Sequence, residues 1–179
     1  MSSRPNRRPK GKLTSMSKQK TAPDPKDITI ERMSEHDLLE VVEIEERSGL
    51  SRWGWAAYYA ELQGANRDLM LVARPLMPTV DSGPIAGYIV ARETAGELHI
   101  NNFAVRPEFR RHGIGATLLN RVLEEARQRK ANAAFLEVRS TNHAAQALYE
   151  KCGFRAIARR ADYYSEPQED AVVMSLDLG

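Results

Sequence analysis

The chain has 179 residues and a formal charge of +2, from 26 Lys and Arg against 24 Asp and Glu; residues 1–26 carry +7 of it and residues 27–179 carry −5. A body of about 150 residues is the size of one ordinary domain, able to build a core without metal or disulfide staples. The single cysteine, Cys152, excludes an intramolecular disulfide and a cysteine-based zinc site, and no run approaches the 18 apolar residues of a membrane span.

Residues 1–26 hold eight basic side chains, one acid and four prolines, with Leu13 and Met16 the only large apolar residues after Met1. Such a segment cannot bury enough surface to offset its ordering entropy, so a disordered basic tail is expected. No apolar stretch follows it, so no secretory signal is expected. Pro5, Pro9 and Gly11 oppose the amphipathic helix of a transit peptide, and Met16 offers a second start. A reducing, cytoplasmic setting suits this composition.

From residue 27 onward, strand and helix periodicities alternate in one domain, 27–179. Ile28–Met33 alternates apolar and polar as a strand does. Ser34 is expected to cap a helix to about Arg47, with Asp37 three residues on and Leu38, Val41, Val42 and Glu45 at helical spacing. A second short helix is expected from Trp53 to about Leu62. Leu69–Ala73 and Ile85–Arg92 read as paired strands around a proline-rich loop, and Glu97–Arg106 as another strand. From Gly113, the residues Ile114, Leu118, Leu119, Val122, Leu123 and Ala126 form one helical stripe reaching about Lys130. Ala134–Val138 is a short strand, Asn142 begins a helix that ends near Gly153, and terminal strands follow over 154–162 and 171–178. The result is a mixed α/β domain around one sheet.

The stretch richest in chemistry is Val105-Arg106-Pro107-Glu108-Phe109-Arg110-Arg111-His112-Gly113-Ile114-Gly115-Ala116. A strand ends at a proline, a basic loop follows, and two glycines open a long amphipathic helix. Free N–H groups at a helix start, with the helix dipole, favour an anion. Glycine lets main chain approach a phosphate without a Cβ in the way. Alone, this pattern is equally an ordinary tight strand-to-helix turn. It fits neither a dinucleotide fingerprint, which would place glycine where Leu118 stands, nor a Walker loop, since Gly-Lys-Ser/Thr is absent.

The Arg-x-x-Gly-x-Gly spacing resembles the acetyl-CoA motif of the GNAT (Gcn5-related N-acetyltransferase) superfamily. About 30 residues on, Asn142-His143-Ala144-Ala145-Gln146-Ala147-Leu148-Tyr149-Glu150-Lys151-Cys152-Gly153-Phe154 resembles the superfamily's N-x-x-A-x-x-L-Y-x-x-x-G-F signature at every fixed position. Asn102-Phe103-Ala104-Val105, Phe135-Leu136-Glu137-Val138-Arg139, and Asp162-Tyr163-Tyr164 with Glu169-Asp170-Ala171 and Met174 are similar to the RimI-like family, the N-acetyltransferases of the N-terminal alanine of ribosomal protein S18. The likeness spans roughly residues 28–178. It weakens at Leu50-Ser51-Arg52-Trp53-Gly54, where that family has a Pro-Trp-Ser type of sequence on its peptide-binding side.

The resemblance implies a single mixed, mostly antiparallel sheet of about seven strands flanked by four helices, with two central parallel strands splayed apart. It implies acetyl-CoA as co-substrate, no metal, and a protein N-terminus, that of S18, as acceptor. Phe103, Ala104 and Val105 would offer main-chain groups to the pantetheine arm. Arg111, His112, Gly113, Ile114, Gly115 and Ala116 would cradle the pyrophosphate, with Arg110 adding charge, and Asn142 would contact the cofactor. Glu137 would be the general base and Tyr149 the general acid.

The chemistry agrees with those residue types. An α-amino group titrates at about 7.7–8.0, against about 10.4 for lysine, so one carboxylate suffices to deprotonate it. Tyrosine can protonate a leaving thiolate, and neither a covalent enzyme intermediate nor a metal is required. Other readings stay open. Glu137 is also compatible with a solvent-facing strand position, and Tyr149 with a core tyrosine. Cys152 reads as a small packed residue, and His36, His99, His112 and His143 lack metal-ligand spacing. Trp53, Trp55, Tyr58 and Tyr59 read as helix packing, and Tyr163 and Tyr164 as strand packing. The acceptor is alternatively a lysine or a small amine, and the basic tail could make weak contact with RNA or ribosomes.

Overall fold

In the computed structural model, which describes residues 27–50, 52–77 and 84–179, the strands build one sheet whose burial is greatest at β2 and β3 and alternates along β4 and β5. The strands are β1 (Ile28–Arg32), β2 (Met70–Pro75), β3 (Gly87–Thr94), β4 (Glu97–Val105), β5 (Ala133–Arg139), β6 (Arg155–Ser165) and β7 (Gln168–Asp177). They form one sheet in the order β1-β2-β3-β4-β5-β7-β6. Every neighbouring pair is antiparallel except β4 and β5. Four helices flank it: α1 (Leu38–Ser48), α2 (Gly54–Leu62), α3 (Ile114–Gln128) and α4 (His143–Lys151). The basic tail expected over residues 1–26 lies outside the described residues.

Strands β2 and β3 are apolar on both faces because both faces are covered. Met70, Val72, Tyr88 and Val90 pack with Leu38, Val41 and Ile44 of α1 and Tyr58 and Leu62 of α2. Leu71, Ala73, Ile89 and Ala91 turn the other way, to Leu118, Leu119, Val122 and Leu123 of α3. All six residues of the expected α3 stripe are buried. The helix expected from Ser34 instead begins as a 3₁₀ turn, Glu35–Asp37, and becomes α-helical at Leu38. The Asp37 carboxylate accepts from the Ser34 N–H at 2.8 Å and its hydroxyl at 2.9 Å, and pairs with Arg74 of β2, which tightens that first turn.

Strand β4 positions the site. Val90 lies opposite Asn102 and Ala91 opposite Ile100, so Asn101 is an extra residue, a β-bulge. Before the bulge, Leu98 and Ile100 face α3; after it, Ala104 faces α1 and α2, while Phe103 and Val105 face α3. Pairing with β5 runs only from Glu97–Ile100 to Ala133–Leu136. Past that point the two parallel strands diverge, and Asn102–Val105 keep β3 alone as a ladder partner. Gly87 of β3 permits close approach there, since a Cβ would lie 2.6 Å from the Ala104 carbonyl oxygen. Arg106, buried, donates to the Ile85 carbonyl at 2.8 Å and pairs with Glu40 at 3.1 Å, tying the end of β4 to α1.

The terminal strands run further into their hairpin than expected, to Ser165 and from Gln168, with Tyr164 opposite Glu169. Strand β6 is an edge strand exposed along nearly its whole length, so no burial alternation marks where it ends.

Candidate active site

The turn between β4 and α3 is built from unusual backbone. Arg111 and Gly113 both take left-handed conformations, with φ of 67° and 77°. For Arg111 that costs about 1–2 kcal/mol. Main chain curled in this way presents its N–H groups to one side, at the positive end of α3. Thr117 donates to the Gly113 carbonyl at 3.0 Å, so the N–H groups of Ile114, Gly115 and Ala116 precede the first helical bond. The His112 Nδ1 is buried and has no hydrogen-bond partner among the described residues. A turn with several N–H groups and an orphaned ring nitrogen fits a polyanion. Arg110 folds back, its Nε donating to the Val105 carbonyl at 2.9 Å.

The two glycines earn their places differently. Gly113 supplies the left-handed residue, as a tight turn needs. Gly115 was expected to clear space for a phosphate, but its missing Cβ makes room for protein. That atom would lie 3.1 Å from Leu148 Cδ2 and 3.3 Å from Phe103 Cζ, where α3, α4 and β4 meet.

Beside the turn, the edge of β4 from Asn102 to Val105 faces the widening gap to β5 without a strand partner. Phe103 points from this edge toward Tyr149 of α4, ring centroids 6.2 Å apart. Tyr149 is only 7% exposed, with Phe154 on its other side at 5.9 Å. Burial raises its phenol well above the usual range, with smaller contributions from Tyr164 and Cys152, so it carries its proton at neutral pH. No hydrogen bond engages its hydroxyl among the described residues.

Glu137 points away from the core side chains Leu136 and Val138 of its own strand. Its side chain is 28% exposed and pairs with Arg160 Nη1 at 3.1 Å. Arg160 also lies over the Tyr163 ring, 5.5 Å from the centroid. Tyr164 acts electrostatically on Tyr149 and is itself acted on by Glu137. Burial and Tyr163 push its hydroxyl up to about 12, Arg139 opposes that, and the Glu137 and Glu169 carboxylates add to it. The Arg139 guanidinium covers the Tyr164 ring at 4.2 Å. Phe103 of β4 and Tyr149 of α4 thus meet on one face of the sheet, and Glu137 of β5 points off the other, with Tyr164 of β6 within electrostatic reach of both Tyr149 and Glu137.

Asn142 caps α4, its Oδ1 accepting from the Ala145 N–H at 3.1 Å. That local duty is visible in the fold. Cys152 is half-buried with its thiol pushed up by burial, the opposite of an activated nucleophile. Trp55 stacks on Tyr59 at 4.8 Å and Trp53 tilts on Tyr58 at 5.5 Å, which is packing within and before α2. No group of three or more metal-ligating side chains occurs among the described residues, and none of their helices is long and apolar enough to cross a membrane. Sequence reasoning missed Arg160, which no local spacing links to Glu137. It placed Glu45 at helical spacing with Leu38, Val41 and Val42 but gave it no role, although a charge in that apolar stripe was a signal.

A profile of the acetyltransferase (GNAT) family matches residues 38–154. The chain is 32% identical over 152 residues to the ribosomal protein bS18-alanine N-acetyltransferase of Salmonella typhimurium, covering 84% of this chain and 97% of that protein. The crystal structure of the ribosomal-protein-S18-alanine N-acetyltransferase from Escherichia coli superposes with a TM-score of 0.71 at 31% identity, over 85% of this chain and 94% of that one. Chaetomium thermophilum Naa20, solved with a bisubstrate analogue, gives a TM-score of 0.71 at 26% identity, over 83% and 86%.

Proposed function

The chain belongs to the acetyltransferase (GNAT) family, and from that premise we propose that it acetylates a protein N-terminus, that of the ribosomal protein S18 alanine, in the cytoplasm. The observation that carries this reading is the splay. One strand edge, Asn102–Val105, stands open directly beside an N–H-rich turn at a helix start. A long molecule with a peptide-like arm and a pyrophosphate, as acetyl-CoA has, matches both features at once, the arm as a pseudo-strand and the pyrophosphate on Arg111–Ala116. Bound there, it supplies an activated thioester.

The acceptor amine must be neutral to attack. Glu137, reachable from solvent and held by Arg160, takes its proton directly or through a water. The amine forms the new C–N bond as the C–S bond breaks. Tyr149, protonated and in contact with Phe103 on the open edge, gives a proton to the departing thiolate and is reprotonated, through water, by the second proton that the nitrogen sheds as the amide forms. Main-chain groups of Phe103, Ala104 and Val105 orient the carbonyl. The departure of Leu50–Gly54 from the family's usual sequence favours keeping a second reading, a lysine or small-amine acceptor. The tail contact with RNA or ribosomes is a separate proposal that rests on charge alone.

Incubation with acetyl-CoA and an S18-like N-terminal alanine peptide tests the reading, with an N-terminally blocked, lysine-containing peptide as control. Mass spectrometry is expected to find the acetyl group on the α-amine of the first peptide only. Acetylation of the blocked peptide alone would replace the N-terminal reading with the lysine one.

A further inference from the structure

Glu45 lies in the apolar stripe of α1 with Leu38, Val41 and Ile44, and it is 0% exposed. A carboxylate in such a place is costly unless its oxygens are satisfied. Four donors from outside α1 converge on it. Oε1 accepts from the Trp53 N–H at 2.9 Å, the Tyr58 hydroxyl at 2.7 Å and the Asn102 side-chain amide at 3.0 Å, and Oε2 accepts from the Gly54 N–H at 3.1 Å. Tyr88 of β3 completes the cluster, donating to Asn102 Oδ1 at 3.0 Å and lying 3.0 Å from the Tyr58 hydroxyl.

The partners matter more than their number. Trp53 and Gly54 open α2, which has no side-chain cap of its own, so Glu45 brings an anion from α1 to that helix start. Asn102 is the first residue after the β4 bulge and the neighbour of Phe103. One buried carboxylate therefore joins the segment before α2 to the strand edge beside which the thioester would lie.

We propose that Glu45 is a positioning residue for the acceptor: it fixes the gap between the Arg52–Gly54 segment and the splayed end of β4, so that the incoming amine meets the carbonyl at reacting distance. This rests on the reading above that acceptor and acetyl donor meet at that end of β4.

The test is Glu45→Gln in the full chain, a near-isosteric change that turns an amide NH₂ toward groups that are themselves donors. The KM for the acceptor is expected to rise about tenfold or more, with the KM for acetyl-CoA within about twofold of wild type. Val41→Ala, one turn earlier in the same helix, removes core contact but none of the four hydrogen bonds to Glu45. It is expected to lower the thermal midpoint and leave both KM values in place. A lowered midpoint in Glu45→Gln with an unchanged acceptor KM overturns the proposal. If that variant does not fold, Tyr58→Phe removes one of the four bonds, and the same split is expected at about threefold. An unchanged acceptor KM there overturns the proposal equally. The kinetics use whichever amine the wild type acetylates, so a lysine acceptor would sink the N-terminal reading while leaving this comparison intact. Hydrogen exchange needs no substrate: the Trp53 and Gly54 amides are expected to exchange about 100-fold faster in Glu45→Gln, and wild-type protection would also overturn the proposal.

Discussion

Glu137 keeps one carboxylate oxygen on Arg160 and part of its surface in solvent, whereas Tyr149 is walled in by Phe103 and Phe154. As base and acid, Glu137→Gln and Tyr149→Phe should each lower kcat by about 10²–10⁴-fold. Both variants should still fold, because Gln keeps the shape of Glu and the described residues give the Tyr149 hydroxyl no bond to lose. Steady-state kinetics decide it, and near-normal turnover in both would remove these roles. Gly87 is a position of another kind. A Cβ there would meet the Ala104 carbonyl oxygen at 2.6 Å and the Val105 Cα at 3.1 Å, and neither is the end of a flexible side chain. Gly87→Ala must push the end of β4 aside, at a cost of about 1–3 kcal/mol. A lowered thermal midpoint and a raised KM for acetyl-CoA are expected together, since the displaced backbone is the open edge itself. An unchanged midpoint would show that β4 yields without strain.

The β6–β7 hairpin illustrates how an element with little burial is held in place. Strand β6 is exposed almost throughout; β7 carries the ladder to β5 and buries Ala171, Val173 and Met174, and polar contacts fix the hairpin's tip. Arg139 at the end of β5 donates to the carbonyls of Glu166 at 2.9 Å and Pro167 at 3.1 Å, and pairs with Glu169 at 3.3 Å. Glu169 accepts from the Thr141 N–H at 2.7 Å and the Ser140 hydroxyl at 3.2 Å. These bonds, the Thr141 N–H above all, pull its carboxyl down from the ordinary 4.5 to about 2. A depressed carboxyl stabilises the folded state in full above its unfolded value and loses that contribution as pH falls from 4.5 through about 2. An NMR titration of the Glu169 carboxyl carbon should therefore show a midpoint near 2, and a midpoint near 4.5 would mean that the tie is not made in solution. Because Tyr164 rides on the same hairpin and beside Glu137, Glu169→Ala is expected to loosen the acceptor side of the site before it unfolds the domain.

Across the whole molecule, charge and chemistry are separated. The residues proposed for cofactor and acid–base work lie within 103–149, with Glu45 and Arg160 supporting them, inside a body of net −5, while the +7 tail holds none of them. Removing residues 1–26 should leave kcat and both KM values unchanged in a peptide assay, and a ribosome-retention assay on the same truncation tests the tail contact separately. The order of strands and helices was legible from residues 28–178 because periods of 2 and 3.6 residues are local properties. The strand-to-helix turn at Arg110–Gly115 and the Asn142–Phe154 stretch were legible for the same reason, each being contained in a dozen or so consecutive residues. What local pattern could not contain was decided by long-range register. The Asn101 bulge turns Phe103 toward Tyr149, and the four-pair contact of β4 with β5 opens the splay. Arg160 reaches Glu137 only because β7 lies between their strands, and Gly115 is small because Leu148 and Phe103 arrive from two other elements. Glu45 shows the division most clearly: its sequence position places a charge on the buried face of a helix, and only the packing of α2 and β4 against that helix supplies the four donors that make the charge tenable.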